Sequence, residues 1–175
     1  MPKTKKEVKG EARKIRVFQG NDHAIVEVPP CQRTIFVRST GFYVSFPYIV
    51  FDIRYQYDDC RKKYYVVQIR IGFRNKPISK NATSVEVGQA CLPNVDTNFA
   101  LCLGDTHVIP AKTIGDLIMN ALKVFWATSF NTSMDSRSCY TDARVKTFTK
   151  WAANSANNPD FITHVTWPER REFDL

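Results

Sequence analysis

The hydrophobic periodicity of this chain changes once, near Thr113, and that change restricts the folds open to it. Before this point, apolar and β-branched residues occur in short runs separated by polar turns, which is typical of strands. After it, Thr113 and Asp116 are placed as a capping box, and apolar residues follow at the spacing of one helix face. Strands followed by helices predict an α+β fold, an antiparallel β-meander with helices packed on one side. The apolar helix positions are Ile114, Leu117, Ile118, Ala121, Leu122 and Phe125.

Turn residues divide the first part of the chain into candidate strands. The longest apolar run carries Pro47, which we expect at a bend or an edge. A polar turn over residues 58–62 joins two runs into a hairpin. A second helix is predicted over residues 141–156, whereas residues 161–175 are too mixed in character to assign. The predicted strands cover residues 16–18, 24–28, 33–39, 42–57, 64–73 and 84–87.

Length and composition indicate one domain. A chain of 175 residues with 43% hydrophobic content can bury one sizeable core. No apolar run reaches the roughly 18 residues of a membrane span, and no signal-peptide pattern follows the lysine-rich start, so we expect a cytoplasmic protein without membrane association. The five cysteines include no Cys-x-x-Cys pair, which favours reduced thiols. Cys91, Cys102 and His107 lack paired-ligand spacing, so we expect no metal and no cofactor.

The positive charge is concentrated at the N-terminus. The net charge is +8, and residues 1–16 carry seven Lys and Arg against two Glu. We therefore expect a basic, flexible tail over residues 1–16 and a single α+β domain over residues 17–175. Such a tail attracts nucleic acid or an acidic partner by charge, and the alternative is a solvated terminus that binds nothing. Its basic residues are Lys3, Lys5, Lys6, Lys9, Arg13, Lys14 and Arg16.

The segment between the strands and the first helix carries the main candidate for chemistry. It contains a Pro93-Asn94 turn and, eight positions after Asn94, Cys102 between two leucines. A cysteine is a nucleophile through its thiolate when a partner can reach it. A cysteine between leucines is also a common core residue, and Pro-Asn is a common turn. Both interpretations are open on the residues alone.

This segment resembles the active site of ubiquitin-conjugating enzymes, which carry ubiquitin-like proteins as cysteine thioesters. The family motif reads His-Pro-Asn, an aliphatic residue, a five-residue spacer, an aliphatic residue and the catalytic Cys followed by Leu. Pro93–Leu103 reproduces that order from the proline onward. Phe73–Pro77 is similar to the family's Tyr-Pro-Phe-Lys-Pro segment, and Pro110–Ile114 to its Pro-Ala-x-Thr-Ile helix start. The resemblance covers about residues 44–130.

Several departures from the family pattern point to its divergent bacterial and phage relatives. Leu92 stands where the family usually has His, and Phe99 replaces a common glycine of the spacer. The tryptophan that usually precedes the Pro-Ala segment is absent, and a basic tail with strands replaces the family's first amphipathic helix. An activating enzyme would therefore have to dock differently on this chain.

The resemblance implies a role for each residue of the segment. Cys102 would accept a ubiquitin-like modifier from an activating enzyme and pass it to a lysine amine. Asn94 would donate to the oxyanion or organise the loop, with Leu92 and Pro93 as support. Asp105 and His107 lie just beyond the cysteine, where either can help deprotonate the incoming lysine.

Two other functions stay open beside the carrier. The first is a non-catalytic module of the same fold that acts as a protein-interaction scaffold in a larger complex, because fold does not fix function. The second is a nucleic-acid-associated phage or plasmid protein that uses its basic tail and aromatic hairpin. The hairpin aromatics are Tyr55, Tyr57, Tyr64 and Tyr65.

Overall fold

In the residues that the structure describes, the fold combines a six-stranded antiparallel sheet, a separate two-stranded hairpin, two α-helices and a 3₁₀ helix. The computed structural model describes residues 15–90, 92–104, 106–130 and 141–175. The strands are β1 (Arg16–Gln19), β2 (His23–Val28), β3 (Cys31–Val37), β4 (Thr40–Phe46), β5 (Tyr48–Asp58), β6 (Lys63–Arg74), β7 (Ser84–Gln89) and β8 (Arg170–Asp174). The helices are α1 (Ile114–Ala127), α2 (Phe148–Asn157) and a 3₁₀ helix over Pro159–His164. The large sheet has the order β1-β2-β5-β6-β7-β8, which confirms the α+β class.

The predicted strand over residues 42–57 is two strands in two different sheets. β4 ends at Phe46 and β5 begins at Tyr48. Pro47 lies between them, where its missing N–H and fixed φ favour an interruption of the strand. The expected bend is therefore present, and it separates the β3–β4 hairpin from the main sheet.

Each face of the main sheet carries its own core. On one face, Phe51 of β5 contacts Phe125 of α1 at 5.0 Å between ring centroids, and Phe73 contacts Trp151 of α2 at 6.5 Å. Both helices share this core, as the sequence predicts, and we call this side the helix face. The opposite side, the loop face, has a smaller core that takes in two loop residues, Ile78 and Phe99. Its buried members are Ile25, Val50, Ile78, Val85, Val87, Phe99 and Phe173.

The capping residues of α1 are those that the sequence indicates. The Oγ1 of Thr113 accepts a bond from the Asp116 backbone N–H at 3.1 Å. This bond satisfies one of the amides that the first helical turn leaves without a partner. The start of α1 is therefore confirmed, together with its buried face of Leu117, Ile118, Ala121, Leu122 and Phe125.

The second helix begins later than predicted, at Phe148 instead of residue 141. The Asp142 carboxylate accepts bonds from the Arg144 backbone N–H at 2.9 Å and from its guanidinium at 2.6 Å. These bonds lower the pKa of Asp142 and close a local turn that competes with helical bonding. Thr147 caps the helix only after this turn.

The C-terminal residues, which have no clear pattern in the sequence, complete the main sheet. Phe173 of β8 pairs with Val85 of β7, and the Leu175 N–H donates to the Thr83 carbonyl at 2.9 Å. β8 therefore lies at the edge of the sheet, next to β7. None of the helices in the described residues is long and apolar enough to cross a membrane.

Candidate functional site

Residues 94–102 form a short hairpin that we call the 94–102 loop. The Cys102 N–H donates to the Asn94 carbonyl at 2.8 Å, which closes the base of the loop. One residue further in, Val95 and Leu101 form an antiparallel bridge. The turn predicted at Pro93-Asn94 thus leads directly into a paired backbone, and this pairing brings Asn94 and Cys102 together.

The loop pairs with the part of β6 that β7 leaves unpaired. The Leu101 N–H donates to the Ile69 carbonyl at 2.8 Å, and the Ile71 N–H donates to the Phe99 carbonyl at 2.8 Å. β7 pairs with β6 only at Gly72 and Phe73, so the loop supplies partners where β7 does not. Strand edges require such partners because their amides are otherwise unpaired.

An aspartate fixes the tip of the loop. The Asp96 Oδ1 accepts bonds from the backbone N–H groups of Asn98 and Ala100, each at 2.8 Å. The Asp96 carbonyl also accepts a bond from Gln89 Nε2 at 3.1 Å. Asp96 is not among the residues predicted from the sequence, although an aspartate that accepts a bond from the amide two residues later is a known turn signal.

Phe99 has a backbone conformation that favours glycine. Its φ is +67°, in the left-handed region, where a side chain costs roughly 1–2 kcal/mol. Its ring is 1% exposed and contacts Phe173 of β8 at 6.3 Å between centroids. Burial of the ring offsets the backbone strain. Phe99 thus combines a backbone conformation that favours glycine with a buried aromatic side chain.

Cys102 is exposed, and its thiol is free. The flanking Leu101 and Leu103 are half-buried and pack against the core of the helix face. The alternating burial follows from the extended backbone, in which successive side chains point to opposite sides. The interpretation of Cys102 as a core residue is therefore wrong.

Asn94 is buried, with 4% exposure, and points toward the backbone of Cys102. Its Nδ2 donates to the Cys102 carbonyl at 3.3 Å. Its Oδ1 has no hydrogen-bond partner among the described residues. Leu92 and Pro93 are also buried, and Leu92 belongs to the core of the helix face. Leucine at this position thus anchors the start of the loop by apolar packing.

Of the two candidate proton acceptors beyond Cys102, the structure describes only His107. His107 is exposed and lines a groove of about 260 Å³ beside β6, together with Leu101, Leu103 and Val67. Asp105 lies outside the described residues. Within the described ranges, no three His, Cys, Asp or Glu side chains lie together as a metal site. Cys91, a member of the metal set considered above, is outside those ranges.

The basic tail is described only at its last basic residue. Arg16 is the first residue of β1, and its Nη1 donates to Glu27 Oε1 at 3.0 Å and to the Ile78 carbonyl at 2.8 Å. Arg16 thus belongs to the sheet, and the predicted tail boundary at residue 16 is corrected. The binding role of the tail stays a prediction, because the other basic residues lie outside the described part. These are Lys3, Lys5, Lys6, Lys9, Arg13 and Lys14.

The aromatic hairpin does not present all four tyrosines to a nucleic-acid strand. Tyr55 is 2% exposed, and its hydroxyl donates to the Gly20 carbonyl at 2.8 Å. Tyr64 packs between Tyr55 and Tyr57, at 5.9 Å and 4.8 Å between ring centroids. Tyr57 and Tyr65 are 45% and 37% exposed. Tyr55 is therefore structural, because it ties β5 to the turn before β2.

Comparisons with protein-family models, curated proteins and solved structures gave no match. The site is therefore interpreted from its own residues.

Proposed function

We propose that this chain is a divergent ubiquitin-conjugating-like protein that carries a small ubiquitin-like modifier as a thioester on Cys102. The proposal includes the ubiquitin-conjugating-like fold and an activating enzyme as partner. Its main support is an exposed thiol on a loop whose two ends are bonded to each other at Asn94 and Cys102. A carrier needs this combination, because the partner must reach the sulfur and the reacting geometry must be held in advance.

In the first step of the proposed reaction, the Cys102 thiolate attacks the carbonyl carbon of the modifier's thioester on the activating enzyme. A carbon–sulfur bond forms to Cys102 as the bond to the enzyme's cysteine breaks, and that cysteine leaves as a thiolate. One thioester is lost on the activating enzyme and one is formed on Cys102, so the exchange balances and needs no further reactant. The exposure of Cys102 supports this step.

In the second step, a lysine amine attacks the same carbonyl and forms a tetrahedral oxyanion. The intermediate collapses to an amide, the Cys102 thiolate leaves, and the amine proton passes to a base or to water. His107 is exposed on the segment after Cys102 and is a candidate for that base. Asn94 acts here as the loop organiser, because its side chain is buried and already donates to the Cys102 carbonyl.

Acylation by a short peptide thioester tests the proposal without the natural modifier. The protein is incubated with the peptide thioester, and the rate of acylation at each cysteine is measured by mass spectrometry. Cys60 is a matched reference, since it is also exposed and free. We expect Cys102 to be acylated about tenfold faster than Cys60, because its loop is held in place.

Two variants serve as controls. Cys102→Ser should remove the faster-forming thioester adduct, which hydroxylamine cleaves, and leave the slower one at Cys60. Cys60→Ser should leave the adduct at Cys102 unchanged. Equal acylation of the two cysteines, or no adduct at Cys102, would overturn the carrier proposal.

A second candidate function, the interaction scaffold, is favoured by the outer face of the β3–β4 hairpin. Phe36 and Tyr43 are 52% and 54% exposed there. They share this face because Phe36 lies opposite Gly41 and Tyr43 opposite Thr34 in the ladder. Exposed aromatics of this kind are enriched at protein interfaces. A scaffold should lose its cellular function in the Phe36→Ser/Tyr43→Ser variant and keep it in Cys102→Ser.

A further inference from the structure

The strand β8 brings one arginine against the tip of the 94–102 loop. Arg171 Nη1 donates to the Asn98 carbonyl at 2.9 Å. The same guanidinium lies over the Phe99 ring, with 5.1 Å between its central carbon and the ring centroid. Arg171 thus makes a charge-assisted hydrogen bond and a cation–π contact at consecutive loop residues.

The contact between Arg171 and the loop is part of a larger arrangement on the loop face. Phe173 lies two residues further along β8, on the same side of the strand, and packs on Phe99. The guanidinium of Arg70, from β6, lies 4.8 Å from the Phe173 centroid. Arg70 also donates through Nε to the buried Asp52 carboxylate at 2.8 Å, which fixes its position. Two guanidiniums therefore flank the aromatic pair beneath the loop.

We infer that Arg171 is a positioning residue for Cys102. A left-handed backbone at a residue other than glycine persists only where surrounding contacts enforce it. Arg171 holds the Asn98 carbonyl and the Phe99 ring on either side of the peptide that enters this conformation. By fixing the tip, it keeps the two arms in register, so that Asn94 and Cys102 stay paired. The consequence for Cys102 chemistry rests on the proposed function, whereas the ordering of the loop does not.

The neighbouring arginine provides a matched control. Arg170 lies in the same strand and donates to Glu86 Oε1 at 2.8 Å, away from the loop. Its side chain is 70% exposed, so its ion pair contributes little to the fold. Arg170→Ala and Arg171→Ala thus remove the same chemical group from adjacent positions, and only the second change removes contacts to the loop.

Hydrogen exchange of the loop amides measures the ordering directly. The informative amides are those of Phe99, Ala100, Leu101 and Cys102, whose acceptors all lie in the loop or on β6. We expect Arg171→Ala to speed their exchange about tenfold relative to the β5–β6 ladder, and Arg170→Ala to leave them within about twofold. Arg171→Lys keeps a cation and a donor, so it should restore part of the protection.

Acylation of Cys102 by the peptide thioester, relative to Cys60, provides the second readout. We expect the ratio to fall in Arg171→Ala, to recover in part in Arg171→Lys and to stay unchanged in Arg170→Ala. A structural effect on the whole fold would change both cysteines and would not move this ratio. If Arg171→Ala does not fold, Arg171→Lys and Arg170→Lys form the matched pair.

The outcomes separate this inference from the proposed function. Unchanged loop exchange in Arg171→Ala, or an equal increase throughout the sheet, would overturn the positioning role even if Cys102 accepts the thioester. Faster exchange confined to the loop would support the positioning role. If wild-type Cys102 nevertheless accepts no thioester, the carrier proposal fails and the ordering of the loop by Arg171 stands.

Discussion

Two exposed cysteines lie in segments where an aspartate accepts bonds from two backbone amides, one at the β5–β6 turn and one in the 94–102 loop. Near Cys60, the Asp58 Oδ1 accepts bonds from two backbone amides, each at 2.9 Å. Near Cys102, the Asp96 Oδ1 accepts bonds from two backbone amides, each at 2.8 Å. Both thiols are exposed, but only the Cys60 N–H donates to the nearby aspartate, whereas the Cys102 N–H donates to the Asn94 carbonyl.

The regions differ in what anchors them to the fold. Around Cys60, the side chains of Asp59, Arg61 and Lys62 are 87%, 80% and 73% exposed, and their ion pairs are local. The 94–102 loop is bonded to β6, β7 and β8 and buries an aromatic ring beneath it. Exposure makes a thiol reachable, whereas long-range anchoring fixes the position of its backbone. A carrier site requires both properties.

The largest expected effect comes from removing the buried ring beneath the loop. Phe99→Ala should lower the free energy of unfolding by about 3–5 kcal/mol, because it deletes an aromatic side chain from the loop-face core. Tyr57→Ala, near the β5–β6 turn, should cost less than about 1 kcal/mol, since Tyr57 is 45% exposed. Urea unfolding followed by circular dichroism measures both. Equal losses of unfolding free energy in the two variants would contradict the stronger anchoring of the 94–102 loop.

Phe99→Gly tests the backbone conformation of the same residue. Glycine relieves the strain of the left-handed backbone, so this variant should be about 1 kcal/mol more stable than Phe99→Ala. At a position with negative φ, the glycine variant would be less stable than the alanine variant. The sign of the difference therefore reports the conformation of residue 99.

The two aspartates provide an intermediate effect. Asp96→Ala removes two bonds from a docked loop and should lower the free energy of unfolding by about 1–3 kcal/mol. Asp58→Ala removes two similar bonds at a solvated turn, where water replaces the carboxylate, and should cost less than about 1 kcal/mol. Thermal and urea unfolding of the pair test this, and a larger loss for Asp58→Ala would contradict the proposed anchoring.

The smallest expected effect is on the alkylation of a third thiol, Cys31, which serves as a half-buried reference for Cys60 and Cys102. Cys31 is half-buried, and burial raises the pKa of its thiol, an effect that nearby Arg33 partly opposes. A raised pKa leaves less thiolate at any given pH, so alkylation of Cys31 should require more alkaline pH in the folded protein than in urea. Cys60 and Cys102 should label first, since both are exposed. Alkylation with iodoacetamide between pH 7 and about pH 10 checks this order.

The raised pKa of Cys31 also has a consequence for stability. The folded state holds the thiol proton more tightly than the unfolded chain does. The Cys31 thiol should therefore leave the free energy of unfolding unchanged below about pH 8.5, the ordinary thiol pKa. As the pH rises from there toward the pKa in the folded state, it should lower the free energy of unfolding. Cys31→Ala should remove this part of the alkaline dependence, and an unchanged profile in that variant would contradict the assignment.

Elements specified by nearby residues could be predicted from the sequence. The cap at Thr113, the apolar face of α1 and the turn after Asp58 depend on residues a few positions apart, and all three are present. The sequence pattern predicts a start of α2 that is too early, because the Asp142–Arg144 turn competes with an acceptable helical pattern. The sequence predicts one strand over residues 42–57 where the structure has two, because the apolar composition is continuous across Pro47. Both differences lie at the ends of elements, where one or two residues determine where a strand or helix stops.

The α+β class, α1 and the central hairpin follow from the sequence, since periodicity, capping and turn chemistry are local properties. Three features depend on the folded chain: β8 joins the sheet beside β7, Phe99 is held in a left-handed conformation, and Arg171 reaches Asn98. These features depend on contacts between residues about 70 to 90 positions apart. Such pairings appear only when the chain has folded, because their energy comes from joint burial and bonding rather than from any local preference.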